Sequence, residues 1–333
     1  MANGQFRAMV VTESPDHIFT RRITTRFTDD LPLGEILIRV HYSSVNYKDA
    51  LSASGNRGVT KNYPHTPGVD AAGIVEESSI VSFRPGDEVI VTGYDLGMDT
   101  SGGFGEYVRV PADWIVKLPE NLSLKESMIY GTAGFAAALS VFKLTGNGVV
   151  PEQGDILVTG GPGGVGSIAI SILVKSGFRV IAVNGKVDQQ EYLLKLGAIN
   201  VLNVEDAVDK TGKPLLKARW AGVVDTVGGE ILSTAIRSTR YGGTITSCGN
   251  AASANLPLTV HPFILRGVSL LGIETVNCPV NVRREIWRRL SQEWKLEHLD
   301  LITTEISLDE LSERLDLILQ GKQRGRTVIN LMK

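Results

Sequence analysis

The sequence predicts two α/β-type units: a β-rich one formed by residues 1–125 together with 277–333, and between these segments, over 126–276, a doubly wound unit with a six-stranded parallel sheet. Three observations carry this. Short β-rich stretches separated by Pro and Gly fill the chain from Phe6 to Leu118. Six short apolar runs, several separated by helix-length segments, follow Glu120. After Ile273 the chain turns polar and helical and closes on a β-like run. At roughly 100–200 residues per domain, 333 residues accommodate two such units.

In the first segment the strands read as Arg7 to Val11, Glu35 to Tyr42, Gly73 to Glu77, Glu88 to Thr92 and Gly105 to Val110, with turns such as Arg84-Pro85-Gly86-Asp87 between them. The apolar runs that follow are Asp155 to Thr159, Val180 to Val183, Val201 to Asn203, Val223 to Thr226, Thr244 to Ser247 and Val268 to Gly272. Short apolar runs that alternate with helices imply a parallel sheet covered on both faces. Helices over Val282 to Leu296 and Leu308 to Leu319, then Arg326 to Leu331, return the chain to the first unit.

Composition narrows the partners. With 34 Lys+Arg against 36 Asp+Glu, a net charge of −2, no diffuse basic surface exists for a phosphate backbone, so nucleic acid is not expected. Cys248 and Cys278 stand apart without a C-x-x-C, which excludes a disulfide framework and a zinc-finger spacing. The N-terminus lacks a basic segment followed by an apolar one, and the longest apolar run, about Ala133 to Phe142, is shorter than the roughly 18 residues of a membrane span. A cytoplasmic protein without a membrane partner is expected.

The strongest motif is Gly161-Pro162-Gly163-Gly164-Val165-Gly166, a G-x-G-x-x-G placed after the strand Ile156 to Thr159 and before a helical run, Ser167 to Ser176. In this setting, the Rossmann arrangement, Gly161 serves the tight turn, Gly163 admits a pyrophosphate to the backbone, and Gly166 lets helix and strand pack closely. The next strand ends in Asn184-Gly185-Lys186, where an NAD site would carry a carboxylate for the ribose. An amide, a glycine and a cation suit a 2′-phosphate, which favours NADPH; the alternative is that Lys186 is a solvated loop charge and Asp188 takes the ribose.

His17, His41 and His65 are scattered, and the first segment holds no Cys, so no metal site is expected there. The cluster Asn46-Tyr47-Lys48-Asp49 follows a strand, with Pro67-Gly68-Val69-Asp70 further on; it reads either as a polar group facing a cleft or as a capped turn with the tyrosine packed on its ring. Arg283, Arg284, Arg288 and Arg289 spread around their helix and read as a solvated face, and Cys248 as a small buried residue. Trp114, Trp220, Trp287 and Trp294 read as packing residues.

Taken together, Asn46-Tyr47-Lys48-Asp49-Ala50-Leu51, Pro67-Gly68-Val69-Asp70, Gly131-Thr132-Ala133-Gly134-Phe135, the glycine loop, Asp225-Thr226-Val227-Gly228-Gly229, Tyr241-Gly242-Gly243 and Pro262-Phe263-Ile264-Leu265-Arg266 resemble the zinc-free quinone oxidoreductase branch of the medium-chain dehydrogenase/reductase superfamily, and most nearly its acrylyl-CoA reductase group. The resemblance spans nearly the whole chain. It implies a GroES-like first domain and a Rossmann NADP-binding domain, no metal, and cofactor contacts at Tyr47, Thr132, Pro162 to Val165, Asn184 to Lys186, Asn250, Ile264 and Thr275. Two departures stand out. The family often has Ser-Gly-Arg where this chain has Asn184-Gly185-Lys186, and Lys grips a phosphate as a point charge rather than bidentately. Position 250, often Leu, is Asn.

The chemistry expected of NADPH without a metal is hydride transfer to a conjugated carbon, in an unsaturated acyl-CoA or alternatively a quinone. Tyr47 is the expected proton donor, with Asn46 and Asp49 positioning it or the cofactor. A non-catalytic NADPH-binding sensor is the reading from another class. The run Val268 to Gly272 is expected to pair across a homodimer as an edge strand.

Overall fold

The computed structural model describes residues 4–185 and 188–333. The chain divides into two compact units, one running to Thr132 and taking in Thr275–Ser291 and Glu297–Lys333, the other Ala133–Glu274 with Gln292–Leu296. The first begins with β1 (Gln5–Glu13) and β2 (Phe19–Phe27), an antiparallel ribbon. Next come β3 (Ile36–Ser44), α1 (Tyr47–Ala53), β4 (Asp70–Ser78), β5 (Glu88–Thr92), β6 (Tyr107–Val110) and β7 (Ile115–Lys117). On β3, Ile36, Ile38 and Val40 alternate into a core shared with Val89, Val91, Phe104 and Val108. Each such side chain, fully buried, contributes about 1.5–3 kcal/mol of transfer free energy.

Helix α2 (Leu124–Gly146) starts from a reciprocal cap, in which the Ser123 amide donates to Glu126 at 2.8 Å and the Glu126 amide to Ser123 Oγ at 3.1 Å. At 23 residues it is longer than the apolar run seen in the sequence, and by length and composition it could cross a membrane; 78% of its most apolar window is buried in protein, as in a core helix. The helix breaks at Gly131, whose φ of 49° and ψ of −155° are not helical.

In the second unit β8 (Ile156–Val158), α3 (Gly164–Lys175), β9 (Val180–Asn184), α4 (Gln190–Lys195), β10 (Asn200–Asn203), α5 (Val204–Ala207), β11 (Trp220–Asp225), α6 (Gly229–Arg237), β12 (Thr239–Ser247), α7 (His261–Arg266) and β13 (Ser269–Gly272) build the expected six-stranded sheet. Its order is β10-β9-β8-β11-β12-β13 and every pairing is parallel. The order reverses direction between β8 and β11, the place where such sheets open a crevice beyond their strand ends. All six residues of β11 are buried, the apolar run as a strand covered on both faces requires and the closing Asp225 with it.

The chain re-enters the first unit with α8 (Val280–Ser291), β14 (Thr303–Ser307), α9 (Leu311–Leu319) and β15 (Arg326–Asn330). There β15 inserts between β14 and β3, giving the sheet order β14-β15-β3-β4-β5-β7 with β6 on β3. The reading by pattern omits β2, β7 and β14: β2 is rich in Arg and Thr, β7 has three residues, and each is a strand because of its partner.

Gly131 tests this packing. A Cβ there would stand 2.5 Å from both Asp70 Oδ2 and Ser44 Oγ, on backbone of positive φ. Gly131→Ala is expected to destabilise the protein by about 3 kcal/mol, read as a shift in the urea unfolding midpoint without a change in slope.

Candidate active site

Two groups of candidate residues emerge, one in each unit. In the first, α1 begins directly beyond β3, and the Asn46 backbone N–H donates to Asp49 Oδ2 at 2.7 Å, closing the helix start. The capped-turn reading therefore holds for Asn46 and Asp49, while Tyr47 on the first turn is 47% exposed and is not packed away on its ring. Among the described residues the Tyr47 hydroxyl has no hydrogen-bond partner. It is a donor on display, on a helix start whose Asn46 and Asp49 side chains are buried.

Inward lies Asp70, fully buried at the start of β4. Its Oδ2 accepts from Ser44 Oγ at 2.6 Å, from Asn46 Nδ2 at 2.7 Å and from the Thr132 N–H at 2.9 Å, and its Oδ1 accepts from Thr132 Oγ1 at 2.6 Å. Asp49 Oδ1 accepts from the Val69 N–H at 2.8 Å. Arg326, from β15, supplies the positive charge, with Nη2 3.9 Å from Asp70 Oδ2. Burial, then the neighbouring Asp70 charge, push the Asp49 carboxyl up to about 7. Burial draws the Arg326 guanidinium below its usual range, against the pull of both carboxylates. One cation between two buried acids is balanced when one acid holds a proton. Neither Arg326 nor Ser44 belongs to a recognisable motif; what could have drawn attention is an arginine opening a β-like run that holds Val328, Ile329 and Leu331.

Thr275 opens the return into this unit, and its carbonyl accepts from Arg283 Nη2 at 2.7 Å. The expectation of a solvated arginine face fails at Arg283, which is 1% exposed, donates to the Thr92 carbonyl at 2.8 Å and lies 4.6 Å over the Tyr94 ring. Three carbonyls and a ring replace its water. Arg288 and Arg289 both pair with Glu285.

In the second unit the glycine loop joins β8 to α3. The tight turn belongs to Gly160 rather than to Gly161: Gly160 has φ +61°, and a Cβ on it would collide with Thr226 Oγ1, whereas Gly161 keeps an ordinary φ and bonds its N–H to the Val183 carbonyl at 3.0 Å. Gly166 has the expected packing constraint, since a Cβ there would collide with the Gly160 carbonyl. At Gly163 a Cβ would meet only the Gly160 oxygen, at 3.2 Å, leaving room for a ligand beside the backbone. No side chain caps the start of α3, where Gly164 and Val165 present the amides that such a helix end offers an anion. Pro162 is buried within this turn.

Beyond the end of β9 lies a pocket of about 630 Å³ lined by Asn184, Gly185, Asp188, Gln190, Glu191, Asn203, Val204 and Glu205. Glu191 is paired with Lys195 at 2.7 Å. Asp188 and Glu205 are acceptors of the kind a ribose hydroxyl takes. Lys186, the residue expected to receive a 2′-phosphate, lies outside the described residues. A second pocket, about 510 Å³, is lined by Ser247, Cys248, Gly249, Asn250, Gly272, Ile273 and Glu274. Asn250 therefore faces an open pocket, while Ile264 on α7 is 69% exposed and lines neither. The glycine loop, the uncapped helix and the two pockets together fit a dinucleotide.

Buried Asp225 ties the strand ends here: Thr159 Oγ1 donates to it at 2.7 Å, the Gly228 N–H at 3.0 Å and Ser247 Oγ at 3.0 Å. Cys248 is half-buried rather than fully buried, and burial pushes its thiol up to about 12, so it is no nucleophile at neutral pH. Among the described residues no three His, Cys, Asp or Glu side chains are grouped to hold a metal ion, and His17, His41 and His65 stay apart. Those residues do not fit a zinc site.

Residues 32–120 match the family model described as alcohol dehydrogenase GroES-like domain, and residues 164–293 the one described as zinc-binding dehydrogenase. The putative quinone oxidoreductase YhfP of Bacillus subtilis is 46% identical over 327 residues, 98% of this chain and 99% of that protein. The crystal structure of that protein with NAD bound has a TM-score of 0.95 to this chain, covering 98% of it and 99% of the other. The acrylyl-CoA reductase AcuI of Ruegeria pomeroyi is 39% identical over 98% of this chain and 99% of its own. The yhdH oxidoreductase from Salmonella enterica in complex with NADP is 38% identical, with a TM-score of 0.95, over 98% of this chain and 99% of that one.

The raised Asp49 value makes a pH test. A carboxyl that titrates near 7 when folded and near 3.8 when unfolded binds its proton more tightly in the native state. Its contribution to stability is full below about 4 and is lost as pH climbs through 7. The stability of the wild type relative to Asp49→Asn is therefore expected to fall between pH 4 and 7.5, measured by urea unfolding across that range; a difference that stays constant would show that Asp49 does not carry this proton.

Proposed function

We infer that this chain, which belongs to the quinone oxidoreductase branch of the medium-chain dehydrogenase/reductase superfamily near the acrylyl-CoA reductase group, reduces the activated C=C bond of a short α,β-unsaturated acyl-CoA such as acrylyl-CoA, with NADPH as donor. That it is an oxidoreductase follows from the family. The observation that supports the finer reading is the Tyr47 hydroxyl: exposed, unpartnered among the described residues, and mounted on a helix start closed from within.

The cofactor is assigned to the loop Gly161 to Gly166, to Asn184, Gly185 and Lys186 at the end of β9, and to Tyr47, Thr132, Asn250, Ile264 and Thr275. When bound, it supplies the hydride taken up by the β-carbon. As that bond forms, the C=C electron pair moves to the thioester carbonyl oxygen, where the Tyr47 O–H is the assigned hydrogen-bond donor. The α-carbon then takes a proton, from Tyr47 or from water, to give the saturated thioester. Asn46 and Asp49 act through the helix that carries Tyr47, since both are buried.

A quinone is the second acceptor to consider, because the 46% identical relative is named for quinones. That relative's structure holds NAD, and the carboxylates at the end of β9 suit a ribose hydroxyl, so NADH is the competing donor. A homodimer is proposed through β13, which stands at the edge of the sheet. The reaction is assigned to the reducing cytoplasm, in keeping with a chain whose two cysteines, Cys248 and Cys278, form no disulfide framework.

Absorbance decay of NADPH, with NADH in parallel, tests all of this on adding acrylyl-CoA or a soluble quinone. Rapid NADPH consumption with acrylyl-CoA well above the quinone is expected, and roughly 10²-fold slower turnover for Tyr47→Phe. Activity with quinone alone would overturn the acyl-CoA assignment; a monomer by light scattering would overturn the dimer.

A further inference from the structure

Asp70 and Arg326 lie 256 positions apart in the sequence, yet between them they grip the backbone just ahead of Tyr47 and around the break in α2. Arg326 Nε donates to the Ile129 carbonyl at 2.9 Å, in the last turn of α2 before its break. Its Nη1 donates to the Val45 carbonyl at 3.1 Å and to Asn46 Oδ1 at 3.2 Å, immediately ahead of Tyr47. Its Nη2 donates to Ser44 Oγ at 2.8 Å, and that hydroxyl donates on to Asp70. Asp70 in turn holds Asn46 on one side and both the N–H and the hydroxyl of Thr132 on the other. Arg326 is 2% exposed and Asp70 fully buried.

A buried ion pair adds little to stability over apolar residues of the same volume, so stability alone does not account for one here. What this pair does that leucines would not is hold directions: a planar fork that reaches two separate segments, Ile129 in α2 and the contiguous Ser44, Val45 and Asn46 at the end of β3. We propose that Arg326 and Asp70 are positioning residues for the reductase reaction, holding the turn that presents Tyr47 and the broken helix turn that presents Thr132 at one fixed spacing. The assignment rests on the reading of Tyr47 as the group that meets the substrate. Displacing that hydroxyl by an ångström is enough to cost turnover while leaving acceptor binding, which draws on many contacts, nearly unchanged.

A double-mutant cycle between Arg326→Lys and Tyr47→Phe, with kcat and KM for acrylyl-CoA measured at saturating NADPH, tests this. Lysine keeps the charge and loses the fork. Arg326→Lys is expected to lower kcat roughly 10- to 100-fold with KM changed less than about threefold. In the Tyr47→Phe background the same change is expected to cost less than about twofold, because the hydroxyl it positions is gone. Equal losses in both backgrounds, or an unchanged kcat for Arg326→Lys, would overturn the proposal while the reading of Tyr47 stands. Tyr47→Phe turning over like the wild type would instead overturn that reading. Should Arg326→Lys not fold, Ser44→Ala takes its place in the cycle with the same two outcomes, since it removes the hydroxyl between Nη2 and Oδ2 and leaves both charges.

Discussion

A guanidinium buried beside two carboxylates is the constraint around which the first unit is organised. Arg326, Asp70 and Asp49 come from β15, β4 and α1, and none of them reaches bulk water. Stripped of solvent, each must find its partners in the protein, and the partners are backbone groups at the end of β3 and the break in α2. Those segments can therefore sit in few other ways. The break at Gly131 follows from the same demand, because a side chain there would occupy the space that Asp70, Ser44 and Arg326 share.

The same network decides which side chains remain available for chemistry. Of the polar run at 46–49, Asn46 and Asp49 are consumed by the interior, and Tyr47 is left outward with an unpartnered hydroxyl. Thr132 gives both of its donors to Asp70. The division of labour arises from helical geometry: position N3 folds back to close the helix start, while N1 points away from it.

In the second unit a comparable part is taken by Asp225, whose carboxylate gathers the ends of β8 and β12 and the start of α6 where the sheet reverses order. Close packing of Gly166 on Gly160 then fixes the entry of α3, whose first amides no side chain caps. A buried acid organises each unit without itself being displayed.

The six-stranded parallel sheet, the glycine loop and the polar run at 46–49 were legible from the chain alone, because strand runs, loop spacing and helix caps are local signals written within some ten residues. The family was legible too, since several such signals recur together along nearly the whole chain. What local pattern could not carry was decided by tertiary structure. β2, β7 and β14 are strands by virtue of their partners. Arg283 looks like one of four surface arginines until Thr92, Thr275 and Tyr94 enclose it. Arg326 and Asp70 have no sequence relation; they meet because β15 closes against β3, beside β4, and only there does burial turn two ordinary charges into a fixed frame.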